Sequence, residues 1–252
     1  MIITLISDWK IMFNPKTFAL EFAAKNHAAR VSSLEGLLTD KTIVYIDFGN
    51  VREWRHRLGW EIDLRKLKDF LDSFGVQEVK FYFGTLKNDA GANKFMTFVH
   101  KCGYTIRTKT VKVMRLSIDL SNAPYPQSKA VLSNFIDTTL LRKLKDETIK
   151  CLDKDLRGMN EGGEFHLECW KCNFDVEIGT DMRIALQLNE ANSFCLFSGD
   201  SDFADPISVI LKAKRKVSVF GTARHIASEL NALKQKGLEI EDVAALRDFL
   251  QK

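Results

Sequence analysis

Cysteine and proline are both scarce in this chain, with five cysteines and four prolines in 252 residues. So few cysteines, odd in number and spread from Cys102 to Cys195, exclude a disulfide-stapled scaffold. They imply reduced thiols and a cytoplasmic protein. No apolar run approaches the ~18 residues that cross a bilayer, so no membrane partner is expected. The stretch MIITLISDWK has a short apolar run and no basic region before it, unlike a signal peptide. Charge of neither sign dominates: 37 Lys and Arg stand against 33 Asp and Glu, a net +4. That balance permits a nucleic-acid partner without requiring one. What is present is a globular composition, 45% apolar and 28% charged, long enough to bury a substantial core.

The pattern along the chain divides it. Residues 1–40 form an N-terminal extension, helical over Thr17–Ala29. Residues 41–240 alternate short apolar runs with helical spacing, interrupted by a helical insertion at about 117–170, and 241–252 reads as a C-terminal helix. Strands are expected at Thr42–Phe48, Val76–Phe83, Tyr104–Leu116, Ser193–Phe197 and Lys216–Phe220. Helices are expected at Asp63–Phe74, Ala90–Lys101, Val176–Leu188, Phe203–Ala213 and Ala223–Lys234, with a long one inside the insertion from Ser128 to Arg157. Strand–helix alternation predicts an α/β fold: a central parallel sheet between two layers of helices. Ligands in such sheets bind beyond the carboxyl ends of the strands.

Carboxylates crowd at those ends. Asp47 closes the strand TIVYID. Asp200, Asp202 and Asp205 follow the strand ending at Phe197, in SGDSDFAD. The two strands become neighbours if the sheet reverses its direction of growth after the third strand, and their acids then share a crevice. Asp181 shares a helical face with Ile178, Ile184, Ala185 and Leu188, an inward stripe where a bare carboxylate is costly. Asp175 opens the same helix. Such a set suits a hard divalent cation, Mg²⁺ or Mn²⁺, which takes oxygen ligands and a substrate phosphate. Gly49, Ser198 and Gly199 are small enough for a phosphate backbone to approach. Taken singly, Asp202, Asp175 and Asp205 also read as helix N-caps.

These residues carry a family resemblance. YIDFGNV (Tyr45–Val51), FDVEIGTDMRIALQL (Phe174–Leu188) and LFSGDSDFADPISVILKAKRKVSVFG (Leu196–Gly221) resemble the signature blocks of NYN domains, the PIN-like ribonucleases, in their LabA-like (DUF88) branch. FYFGT and CGYTI resemble the second strand and the entry to the third. The likeness covers roughly Thr42–Leu116 and Lys171–Leu233. It implies a PIN-like three-layer α/β/α fold and Mg²⁺- or Mn²⁺-dependent hydrolysis of RNA by an acidic cluster. Carried over by motif, the metal ligands are Asp47, Asp175, Asp181, Asp200 and Asp202. Asp47, Asp181, Asp200 and Asp202 are the catalytic set, and Asn50 and Ser198 stand beside them. The segment Ser117–Trp170 is longer than the family's usual connection. As a helical lid or as a helix buried in a homodimer, it fits equally well.

NVREWRHRLGW follows the first acid and interleaves Arg52, Arg55 and Arg57 with Trp54 and Trp60. Arginines contact phosphates and aromatics stack on unpaired bases, so single-stranded RNA is the expected partner. The other reading is a solvated loop with one Trp in the core. KAKRK at Lys212–Lys216 ends a helix, where cations suit the dipole. HLECWKC offers one CxxC and one His, too few ligands for a closed zinc site. Besides a ribonuclease, the pattern admits a non-catalytic RNA- or protein-binding module of the same fold, and more remotely a hydrolase of small phosphate esters.

Overall fold

A computed structural model describes residues 13–86, 89–117, 148–150, 154 and 166–252. The chain divides into two units, Met1–Thr110 with Cys172–Lys252, and Val111–Lys171. The long helix and glycine-rich turn expected between Ser128 and Glu164 lie outside the described residues, apart from isolated positions. The lid and dimer readings of the insertion lie there with them.

The larger unit is built on a six-stranded parallel sheet in the order β3-β2-β1-β6-β7-β8. The strands are β1 (Thr42–Asp47), β2 (Glu78–Thr85), β3 (Thr105–Thr110), β6 (Ser193–Phe197), β7 (Lys216–Gly221) and β8 (Leu238–Asp242). Central β1 and β6 are buried along their whole length, as a strand covered on both faces must be. The expected third strand breaks at Val111. Its second half, β4 (Lys112–Ser117), pairs antiparallel with β5 (His166–Lys171) in the smaller unit.

Alternation along β1 serves two cores. Val44 and Ile46 join one cluster with Leu67, Phe70 and Phe249. Ile43 and Tyr45 join the other with Ile178, Met182, Phe203 and Ile207. The first face is covered by α1 (Phe18–Asn26), α2 (Ala28–Glu35), α3 (Phe48–Glu53), α4 (Arg55–Leu58), α5 (Leu64–Ser73) and α6 (Ala90–Lys101). The second is covered by α7 (Asp175–Gln187), α8 (Ala204–Lys212) and α9 (Ser228–Ala232). The short C-terminal α10 (Arg247–Leu250) returns to the first face, burying Phe249 and Leu250.

Aspartates start many of these helices. Asp63 accepts from the backbone N–H of Arg65 and Lys66 to cap α5. Asp89 does the same for α6 through Gly91 and Ala92. The part of residues 1–40 that is described is not peripheral, since Phe13, Leu20, Val31, Leu34 and Leu38 are buried in the first core. No helix among the described residues is long and apolar enough to cross a membrane.

Candidate active site

The sheet reverses its direction of growth between β1 and β6, which lie side by side in register from Thr42↔Ser193 to Ile46↔Phe197. That switch point opens a crevice at the strands' carboxyl ends. A cavity of 300 Å³ there is lined by Asp47, Asp175 and Asp200, with Gly49, Asn50, Glu53, Arg57, Cys172 and Asn173. Three acids from three separate elements therefore line one cavity.

Each acid is held by its local fold. Asp47 caps α3, its Oδ1 accepting from the Asn50 backbone N–H at 3.4 Å and its Oδ2 from the Ser198 hydroxyl at 3.3 Å. Asp200 caps the 3-10 turn Ser201–Phe203, accepting from the Asp202 N–H at 3.2 Å, while its own N–H reaches Ser198 Oγ at 3.4 Å. Asp175 opens α7 and takes a 2.7 Å hydrogen bond from the Asn173 amide. Ser198 is fully buried. It ties Asp47 to Asp200 and is not available to a phosphate, contrary to the sequence expectation.

Acids outnumber cations in the crevice, with Asp47, Glu53, Asp175 and Asp200 lining it beside Arg57. Asp47 is only 9% exposed, and burial pushes its carboxyl up to about 6; the charges of Asp175 and Asp200 push the same way against the Asn50 and Ser198 hydrogen bonds. Asp175 is raised too, by burial first, with Asp200 and Asp202 adding to it and the Asn173 hydrogen bond and the Lys109 charge opposing. The Cys172 thiol is raised by burial. The donor set is hard oxygen, and a divalent cation would relieve the crowding. As the side chains stand, no three His, Cys, Asp or Glu among the described residues are close enough together to hold one ion. A Mg²⁺-like site asks for only one or two carboxylates, with waters and phosphate completing it.

Asp202 is exposed and faces a neighbouring cavity of 380 Å³ shared with Asp175, Arg183 and Asp205. Asp181 is not in either cavity, which corrects its sequence placement. The buried stripe of α7 runs through Ile178, Met182 and Ala185, while Ile184 and Leu188 are exposed. Asp181 sits at the stripe's edge over β2. It accepts a 2.6 Å hydrogen bond from Tyr82 and has Lys80 Nζ at 4.0 Å and Arg107 Nε at 3.8 Å. Its cations are supplied by the protein.

The arginine–tryptophan segment is also rearranged. It forms the short helices α3 and α4 rather than a loop. Trp54 is 1% exposed and its indole N–H donates to Asn50 Oδ1 at 2.9 Å, so it cannot stack on a base. Trp60 is buried as well. Arg57 lines the acidic cavity, whereas Arg52 and Arg55 line a separate one. Gly199 serves packing, since a Cβ there would meet the His225 carbonyl at 2.7 Å. Cys172, Asn173 and Glu53 at the crevice went unnoticed in the sequence as site residues. Their signal was adjacency: Cys172 and Asn173 lead into Asp175, and Glu53 lies one helical turn from Asn50.

A family model described as the NYN domain matches residues 164–241. The chain is 23% identical over 211 residues to the low amplitude and bright protein LabA of Synechococcus elongatus, an alignment spanning 83% of this chain and 87% of that one. A crystal structure of a Vibrio parahaemolyticus protein of unknown function superposes with a TM-score of 0.50 at 17% identity, over 84% of this chain and 97% of the other. At that identity the structural likeness concerns the fold alone. Helix α7 and the Asp200 turn both fall within the span that matches the NYN domain, and the chain is similar to LabA over most of both lengths.

Proposed function

We propose that the protein hydrolyses phosphodiester bonds of single-stranded RNA in a reducing, cytoplasmic setting. Asp47, Asp175 and Asp200 would hold Mg²⁺ or Mn²⁺, with Asp202 at the rim. NYN domains are generally nucleases. The observation that carries the reading is the meeting of Asp47, Asp175 and Asp200 in one cavity, with Asp47 pushed up to about 6. A bound divalent cation supplies charge neutralisation at the phosphate and activation of water.

The protein's own groups do the rest. Ser198 and the Asn50 N–H fix the Asp47 carboxylate, and Asn173 fixes Asp175. With Asn50 Oδ1 engaged by Trp54, its amide nitrogen is the end that can donate to a phosphate oxygen. Arg57, exposed at the mouth, adds a cationic contact to the strand. Because Arg57 can grip a polyanion whether or not it is cut, a module that binds without hydrolysis is the second reading.

The test is incubation of end-labelled single-stranded RNA with the full chain in Mn²⁺, Mg²⁺ or EDTA, beside Asp200→Asn. Cleavage that needs the metal and disappears in the variant is expected. RNA bound on a gel yet intact in every metal would replace hydrolysis with the binding module.

A further inference from the structure

On the other side of α3 lies a cavity of 470 Å³, within the range of about 300–1,000 Å³ usual for small-ligand sites. Its lining holds four aromatic rings, Phe48, Phe83, Phe95 and Phe98, three aliphatic side chains, and a charged set in which Arg52, Arg55 and Lys252 outnumber Glu61 and Asp63. Phe48 stacks on Phe95 at 5.1 Å, and Phe83 meets them edge-on at 5.6 and 4.9 Å. These three rings are half-buried and Phe98 is 37% exposed. Phe98 is the most exposed of the four, with the Arg65 guanidinium 5.9 Å from its ring centre, and the exposed Arg52 and Arg55 line the same cavity.

Helix α3 is the shared wall. Gly49, Asn50 and Glu53 face the acids, while Phe48, Val51 and Arg52 face the aromatics. A helix is ~10 Å across, a span that a nucleic-acid strand covers in a few nucleotides.

We infer that this cavity receives an unpaired base of the RNA strand whose phosphate lies at the acidic crevice, with Arg52 and Arg55 contacting the intervening backbone. Stacking platforms next to cationic side chains are the chemistry of single-strand binding. Arg52 and Arg55 each hold only an exposed neighbour, Glu53 at 3.5 Å and His56 at 3.4 Å, and keep further N–H donors for a phosphate. This inference rests on the RNA reading above and assigns the stacking surface to phenylalanines in place of Trp54.

The experiment is fluorescence anisotropy of the full chain in EDTA with a short labelled oligouridylate. One abasic nucleotide is stepped through the strand, and metal-dependent cleavage of the intact strand is measured in parallel. One abasic position should weaken binding about 10-fold, the effect of losing a single stacked base. Phe98→Ala should weaken the intact strand equally and erase the position dependence. Phe98→Trp, which keeps an aromatic face, should restore both, and matching thermal melts establish that the variants are folded. If the wild type binds and cuts RNA but every abasic position and Phe98→Ala behave alike, the base pocket is wrong and the nuclease reading stands. If the wild type neither binds nor cuts RNA, both fall together.

Discussion

Two aspartates on one helix have opposite surroundings. Asp175, at the start of α7, faces Asp47 and Asp200 across the crevice and has an amide for a partner. Asp181, further along, faces β2 and β3, where Lys80, Tyr82 and Arg107 surround it. Sheet register explains the difference. Tyr45 pairs with Lys80, and Asp47 with Tyr82, which in turn pairs with Arg107. The row opposite Asp181 thus supplies two cations and a phenol, while the row's end at β1 supplies another acid. The fold surrounds Asp181 with its own cations and gives Asp175 two acids, one amide and the more distant charge of Lys109. Two aspartates six residues apart on one helix thus sit in opposite electrostatic settings.

Neutralising each in turn is the sharpest test. Asp175→Asn should lower metal-dependent RNA cleavage by more than about 100-fold, the upper end for losing an outer partner of a metal centre. Asp181→Asn should leave cleavage at the wild-type level. Initial rates in Mn²⁺ measure both, and equal losses would merge the two sites into one.

The crowded side should also show itself in stability. Asp47 has a folded pKa of about 6 against an ordinary 3.8, so the folded state prefers it protonated. Its contribution is fully present below pH ~4, declines as pH rises toward ~6, and is gone above. Asp47→Asn keeps the capping oxygen and removes the charge, so at pH 7 without metal it should be more stable than wild type by about 3 kcal/mol. Urea titrations at pH 4 and 7 read the difference, which should shrink at the lower pH. Divalent cation should raise the wild-type midpoint and leave the variant's unchanged.

The satisfied side should respond in the opposite sense. Asp181→Asn leaves Lys80, 8% exposed, with Glu78 at 3.8 Å as its remaining acid. The expected cost is about 1–2 kcal/mol, read as a lowered urea midpoint at pH 7. A variant as stable as wild type would remove the contrast between the two aspartates.

The sequence made some of this legible and hid the rest. Asp47 and Asp200 could be brought together on paper because strand ends are fixed points: once the sheet reverses after its third strand, β1 and β6 must be neighbours. Asp181 reads in the sequence as an inward carboxylate of the acidic site, because its partners Lys80, Tyr82 and Arg107 are distant in sequence and meet it only through sheet register. Trp54 reads in the sequence either as a stacking surface or as a core residue, and the structure places it between α3 and α4 in the first core. The edge strand β8, Leu-Glu-Ile-Glu-Asp, went unread because its alternation looks like the start of a helix when no neighbour is known.

The smallest expected effect concerns the cation at the mouth of the acidic crevice. Arg57 shares the cavity with Asp47, Asp175 and Asp200 but makes no ion pair with them among the described residues. Its exposed position suits a passing phosphate better than a fixed carboxylate. A single phosphate contact contributes to affinity mainly through counterion release, about one unit in the slope of log K against log salt. Arg57→Ala should therefore weaken RNA binding a few-fold at low salt and much less at high salt, with cleavage per bound strand unchanged. Glu53→Gln, on the same helical segment and lining the same cavity, should shift affinity the other way by removing a repelling charge. If both variants leave the salt slope where it was, the strand does not pass over α3 on its way to the acids.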